Sequence, residues 1–253
     1  MQAMSRAADC PMLRKTGHAV TLRLPQAATQ HRAPQDALMA HVIHCDVPLS
    51  WPEDYAGLPF PLPASVQRSA LKRRLEFCLG RLAARAALAD WGLAHHVVDV
   101  GPDREPLWPE GIVGSISHVS DTAIAVAAPV QRALRVGIDI ETVIDRSIAA
   151  TLARQVLTPE ERQLLELTEF DAGFAPRLTL AFSAKESLFK ALFPSVRSFF
   201  GFEAARITAW DPEQSSLALE LQQTLAPGLQ QGRRFEVGFR WLSPTQVLTA
   251  VVE

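Results

Sequence analysis

Three stretches of this chain carry residue types and spacings that could do chemistry. The first is Val136-Gly137-Ile138-Asp139-Ile140-Glu141. On a strand, successive side chains point to opposite faces, so Ile138 and Ile140 can enter a core while Asp139 and Glu141 share the other face. Two carboxylates so placed can hold one hard divalent cation, and Mg²⁺ held by one or two carboxylates completes its shell with water and substrate phosphates. The second is Phe182-Ser183-Ala184-Lys185-Glu186-Ser187-Leu188-Phe189-Lys190-Ala191-Leu192. On a helix Glu186 and Lys190 lie one turn apart on one face. There the acid suits a metal or a proton, and the two lysines suit phosphate. The third is Gly114-Ser115-Ile116-Ser117-His118, which ends on a histidine able to donate to a phosphate oxygen. Each stretch also has a purely structural reading. The first is then a half-buried strand with a polar outer face, and the third carries only a satisfied polar histidine. The second becomes a helix capped at Ser183, with Glu186 closing a capping box.

Elements must hold these residues. The spacing predicts a long helix over Val66–Trp91, with a buried stripe of Leu71, Leu75, Leu79, Leu82 and Ala86 and a stop at Gly92. Lys72, Arg73, Arg74, Arg81 and Arg85 load that helix with charge that would either face solvent or grip a phosphate. Strands follow at His96–Val100, Ile112–His118 and Thr122–Ala128, the last two forming a hairpin through Val119-Ser120-Asp121, and another at Val136–Glu141. Thr158-Pro159-Glu160-Glu161 opens a helix with an N-cap, an N1 proline and a capping-box glutamate. A second strong helix is expected over Phe182–Phe193. Strands follow at Ala205–Trp210, Leu217–Leu221, Phe235–Trp241 and Val247–Val252. Each half therefore runs from a helix into several antiparallel strands, which argues for an α+β fold of two similar subdomains.

The rest of the chain narrows the field. With 253 residues, 48% hydrophobic and 21% charged, it has enough apolar content for a real core. Lys and Arg number 25 against 27 Asp and Glu, so no global basic excess points to nucleic acid. No apolar run approaches the roughly 20 residues of a membrane span, and no secretory leader is evident. Three scattered cysteines fit a reducing compartment, so the expected address is the cytoplasm. Residues 1–40 read as a poorly structured lead-in, and Pro48–Pro63 as a stiff connection. His41-x-x-His44-Cys45-Asp46 has the form of a metal box but no further ligand cluster. P-loop, dinucleotide-binding, zincin and nucleophile-elbow motifs are missing.

Taken together, the G-x-D-x-E strand and the downstream F-S-x-K-E-x-x-x-K helix resemble the paired signature of the 4′-phosphopantetheinyl transferases. Arg104-Glu105-Pro106-Leu107-Trp108-Pro109 ahead of Gly114-Ser115-Ile116-Ser117-His118 resembles the enterobactin-synthase type, the larger monomeric branch. The resemblance covers roughly Val66 to Val252. It implies transfer of the phosphopantetheine arm of coenzyme A to a serine of an apo acyl, peptidyl or aryl carrier protein, releasing adenosine 3′,5′-bisphosphate. It also implies two pseudo-twofold subdomains, here 41–132 and 133–253, with the active site in the cleft between them.

By position, Asp139, Glu141 and Glu186 correspond to Mg²⁺ ligands, with Glu186 also a candidate base. His118 and Lys190 correspond to diphosphate contacts, and Ser117 and Lys185 join them on the coenzyme. Arg85 matches an arginine associated with the 3′-phosphate, with Lys72, Arg73 and Arg81 as neighbours. One departure stands out. Some relatives have lysine just before the proline equivalent to Pro106, where this chain has Glu105. The competing expectations are a Mg²⁺-dependent phosphohydrolase of nucleotide diphosphates, or a coenzyme A- or carrier-binding module without catalysis.

Overall fold

The computed structural model describes residues 18–22, 38–44, 58–167 and 173–253. Two antiparallel sheets meet edge to edge. The first contains β1 (His18–Leu22), β2 (Leu38–His44), β5 (Ile112–Val119) and β6 (Thr122–Pro129), in the order β1-β2-β6-β5. The second contains β7 (Val136–Thr142), β8 (Ala205–Asp211), β9 (Ser216–Leu221), β10 (Arg234–Ser243) and β11 (Gln246–Val252), in the order β7-β11-β10-β9-β8. A two-stranded ribbon, β3 (Asp99–Val100) with β4 (Pro106–Leu107), stands apart. The expected unstructured lead-in is corrected at two points. Residues 18–22 pair with β2, and Leu38, Ala40 and Val42 alternate into the core, a period-two pattern too short to stand out among the prolines.

The strand β5, its hairpin partner β6, and β7 through β11 follow the expected pattern within a residue or two. His41 and His44 point apart, His41 to Asp90 at 2.7 Å and His44 to Thr122 at 2.9 Å, so they form no metal box. Cys45 and Asp46, with most of the proline-rich connection, lie outside the described residues.

The helices depart more. The expected first helix is two, α1 (Ala64–Gln67) and α2 (Leu71–Ala89). Leu75 and Leu79 of the expected stripe are buried, together with Ala83, Ala87 and Leu88, whereas Leu71, Leu82 and Ala86 are half-buried. The buried face packs on Ala123, Ala125 and Ala127 of β6. Ala83 and Ala87 against the alanines of β6 let helix and sheet approach closely, with Leu75, Leu79 and Leu88 packed around them. An unforeseen helix, α3 (Arg146–Val156), starts at Asp145, whose carboxylate accepts from the Ser147 amide at 2.7 Å. The capping box of α4 (Pro159–Leu167) is present: Thr158 N donates to Glu161 Oε2 at 2.7 Å and Glu161 N to Thr158 Oγ1 at 3.2 Å.

The last helix, α5 (Phe174–Val196), begins eight residues earlier than expected. Ser183 is therefore not a cap. It is fully buried in mid-helix and bonds Thr249 Oγ1 at 2.9 Å.

Each sheet carries one long helix on its outer side, α2 on the first and α5 on the second. Between them, Leu38, Val42, Ile124 and Val126 pack against Ile138, Ile140 and Leu248. Where the sheets meet, the edge strands β5 and β7 are stitched by serines. Ile138 N donates to Ser115 Oγ at 3.0 Å and Ile140 N to Ser117 Oγ at 3.2 Å. Side-chain hydroxyls thus satisfy amides that a continuous sheet would pair with carbonyls.

Candidate functional site

Strand β7 delivers two acids to this seam. Ile138 and Ile140 face the shared core as the alternation predicts, but the Asp139 face is not solvated. The helix α5 covers it so closely that a Cβ on Gly137 would lie 1.9 Å from the Ser187 carbonyl oxygen. Asp139 is 3% exposed, which corrects the expected polar outer face; Glu141, nearer the strand end, is half-buried.

The buried Asp139 is held from two sides. Ser117 Oγ donates to its Oδ1 at 2.8 Å and Lys190 Nζ at 2.6 Å, while Lys190 also donates to Ser117 Oγ at 2.9 Å. Ser117 is therefore the hinge of the site: it accepts from the Ile140 amide, orients the Asp139 carboxylate and meets the lysine. The other oxygen, Oδ2, is buried with no hydrogen-bond partner. A buried carboxylate oxygen left bare is costly unless a cation or donor completes it.

Around this pair the electrostatics are those of crowded acids. Burial pushes the Glu141 carboxyl up to about 7, reinforced by the charges of Asp139 and Glu186 and opposed by Lys190. Burial and Asp139 push Glu186 up as well. His118, at the end of β5, is held below its ordinary value by burial, with Glu76 opposing that shift. Its ring nitrogens lie 3.4 Å from Arg73 Nη1 and 4.0 Å from Glu76 Oε2, both on α2.

Among the described residues no three His, Cys, Asp or Glu side chains close on one point in metal-ligating geometry. The donor set still fits a hard cation. Asp139 raises the proton affinity of Glu141 and of Glu186, and one of its own buried oxygens is bare.

The structure thus gathers Asp139, Ser117 and Lys190 in direct contact, with Glu141, Glu186 and His118 within their field. Two expected coenzyme contacts fall elsewhere. Lys185 is buried and spends its ammonium on Val156 O, Glu161 and Phe202 O, because its position on α5 faces the helix-to-strand junction and not the seam. Arg81 is buried over the Phe77 ring, 4.5 Å from its centroid, and donates to Asp99 O at 3.2 Å; that burial lowers its pKa to about 10. Lys72 is exposed beside Glu76, and Arg85 is half-buried on α2. Sequence reasoning missed Glu76 and the partner role of Glu161. Glu76 stands three and four residues from Arg73 and Lys72, a visible signal. Glu161 is fully explained by its helix cap, so nothing local points to a distant lysine.

Beside the acids lies a cavity of about 740 Å³, walled by the loop 102–108, the start of β5 and the end of α5. Lys190 lines it, whereas Asp139, Glu141 and Glu186 do not, so the lysine joins the cavity to the acids. Its two walls are linked by Arg197 Nη1 to Glu105 Oε1 at 3.0 Å. Glu105 Oε2 also accepts the Asp103 amide at 3.0 Å, and the carboxylate folds over Gly101, where a Cβ would lie 2.2 Å away. Glu105, where some relatives have lysine, thus has its own partner in Arg197.

Comparison with known proteins gives a consistent picture. The family model of the 4′-phosphopantetheinyl transferase N-terminal domain matches residues 63–128. The model of the 4′-phosphopantetheinyl transferase superfamily matches residues 135–237. The chain is 37% identical over 179 residues to enterobactin synthase component D of Salmonella typhi, covering 71% of this chain and 72% of that protein. Against enterobactin synthase component D of Escherichia coli strain K12 the identity is 36% over 170 residues, 67% of this chain and 74% of the other. Against 4′-phosphopantetheinyl transferase Svp of Streptomyces mobaraensis it is 36% over 199 residues, 75% and 76% of the two chains.

Proposed function

Because the chain belongs to the 4′-phosphopantetheinyl transferase superfamily, and moves the phosphopantetheine arm of coenzyme A onto a carrier protein, we propose that this transfer runs where Asp139, Glu141, Glu186 and Lys190 meet. The observation that carries this placement is the 2.6 Å Lys190–Asp139 pair with its bare Oδ2, flanked by two carboxyls of raised proton affinity. Asp139, Glu141 and Glu186 would hold Mg²⁺, which when bound supplies positive charge beside the diphosphate oxygens.

The chain's own residues account for the remaining demands. The carrier serine oxygen forms a bond to the β-phosphorus, and the bond from that phosphorus to the bridging oxygen breaks. The electron pair leaves with adenosine 3′,5′-bisphosphate. The serine proton needs an acceptor, and Glu186, whose burial raises its basicity, takes it directly or through one water. Lys190 and His118 donate to phosphate oxygens as charge builds on the leaving group. Ser117 keeps Asp139 and Lys190 in register. The cavity of about 740 Å³ has the size of a small-molecule site, and its mixed lining, with Trp108, Ile116 and Phe189 beside Arg104, Arg135, Lys190 and Arg197, suits a ligand that carries both apolar and anionic parts. The same reading divides the chain into subdomains 41–132 and 133–253 and has it act as a cytoplasmic monomer on free apo carriers.

The test is incubation with coenzyme A, Mg²⁺ and an apo carrier, followed by mass spectrometry of the carrier. The expected result is one added phosphopantetheine on the carrier serine, lost in Asp139→Asn and Lys190→Met. Hydrolysis of coenzyme A with no modified carrier would point instead to a phosphohydrolase. Tight binding of coenzyme A with neither reaction would point to a non-catalytic module.

A further inference from the structure

The residue before Glu186 does something no phosphate contact explains. The Lys185 and Glu161 side chains are 3% and 0% exposed and pair at 2.8 Å. The ammonium donates to Val156 O at 2.8 Å, to Glu161 Oε2 at 3.0 Å and to Phe202 O at 3.1 Å. Those acceptors are the last residue of α3, the first turn of α4 and the short 3₁₀ turn Phe202–Ala204. All three N–H groups are used. The carboxylate is equally complete, since it also accepts Thr158 N and Ile207 N, each at 2.7 Å. Four segments besides α5 therefore converge on one helix position.

The need for such a node follows from how α5 packs. Toward β7 it presents Ser183, Ser187 and Ala191, opposite a glycine. On that side rotation about the helix axis is limited by Ser183, 2.9 Å from Thr249 Oγ1 and 3.3 Å from Asp139 O, and by Lys190 on Asp139; Lys185, roughly 200° round the helix from Ser183, anchors the opposite side. Successive helix residues are about 100° apart, so a small rotation would swing Glu186 away from the Asp139 side chain. Apolar contact is non-directional, whereas a fully satisfied buried polar network accepts one geometry. A buried ion pair is weak evidence for stability, and fixing one arrangement is its better-attested use.

We propose that Lys185 is a positioning residue: its buried pair with Glu161 sets the rotation of α5 and so aims Glu186 at Asp139. The inference rests on the transfer reaction above, and wild-type protein in the same assay separates the two. If wild type fails to modify the carrier, the function is wrong; if it succeeds, the variants test Lys185 alone.

The variant pair is Lys185→Met with Glu161→Gln, which removes both charges, keeps the volumes and retains a side chain able to serve the cap. The readouts are kcat for carrier modification, KM for coenzyme A and the melting temperature. The double variant is expected to fold, with kcat lower by about 10-fold or more and KM for coenzyme A within about twofold of wild type. Glu161→Gln alone leaves the lysine in place and should lower kcat in the same way. It keeps the question open to measurement if the double variant does not fold. A KM for coenzyme A raised about 10-fold in the double variant, with Glu161→Gln normal, would make Lys185 a phosphate contact and overturn the proposal. Wild-type kcat and KM in folded variants would overturn it too, leaving the pair as structure only.

Discussion

Gly137→Ala tests whether the site depends on the contact between β7 and α5. Gly137 does not have a left-handed backbone, so a methyl there meets no strain of its own. What it meets is helix: the Ser187 carbonyl oxygen at 1.9 Å, the Ala191 amide nitrogen at 2.5 Å and the Ala191 Cβ at 2.8 Å. A carbon rests against a carbonyl oxygen at about 3.3 Å, so the two elements must separate by roughly 1.4 Å. Backbone cannot rotate out of the way as a side chain can, which places the overpacking cost near the top of its usual range, about 3 kcal/mol. Replacing glycine recovers about 0.5–1 kcal/mol of unfolded-state entropy, leaving a net loss of about 2 kcal/mol. For a chain of this size that is a fall in melting temperature of roughly 4–8 °C. The same displacement takes Lys190 beyond hydrogen-bonding reach of Asp139, now at 2.6 Å, and should lower turnover about 100-fold. Denaturant titration and the carrier-modification assay read both effects. Gly238→Ala is the control: it lies on β10 of the same sheet with nothing within 4 Å, and should be neutral or slightly stabilising. Wild-type stability and turnover in Gly137→Ala would refute the close-packing account.

Three further outcomes are expected. Glu186→Gln should melt like wild type or slightly above it, because a neutral side chain relieves a buried carboxylate, yet lose about 10²–10⁴-fold in kcat; near-normal turnover would remove Glu186 from the site. As pH rises from about 4.5 to about 7 the Glu141 carboxyl should cost the metal-free protein stability. The Glu141 carboxyl is raised from 4.5 to about 7, so the folded chain holds a proton that the unfolded chain has released, and that advantage disappears as pH passes the folded value. Asp139→Asn or added Mg²⁺ should flatten the slope in thermal melts, and a stability that rises with pH would contradict the crowded-acid description. Phe199 is 83% exposed, with its ring 5.8 Å from that of Phe189, so Phe199→Ala should change stability by less than about 0.5 kcal/mol. If carrier docks there, its KM for carrier rises; an unchanged KM would leave that face without a docking role.

Period and spacing alone determined much of this protein. The strands from β5 to β11 and the hairpin at Ser120 were readable because alternation is a local property of the chain. So was the capping box at Thr158, where both partners lie within four residues. Asp139, Glu141, Glu186, Lys190 and His118 were legible as chemical types in order, and through them the family.

Only the tertiary structure decided what each side chain faces. Ser183 satisfied every local rule for a cap, yet α5 extends upstream through Phe174, because packing on β7 and β11 carries the helix past its own signals. Lys185 and Lys190 differ little in sequence. One is directed to Glu161, 24 residues away, and the other to Asp139, 51 residues away, and the rotation of one helix makes that difference. Asp139 read as a solvated strand face and is buried, because whether a strand's outer face is covered depends on an element that strand periodicity does not contain. Burial, and with it the raised proton affinity of Glu141 and Glu186, arises from long-range packing, so no local pattern could have carried it.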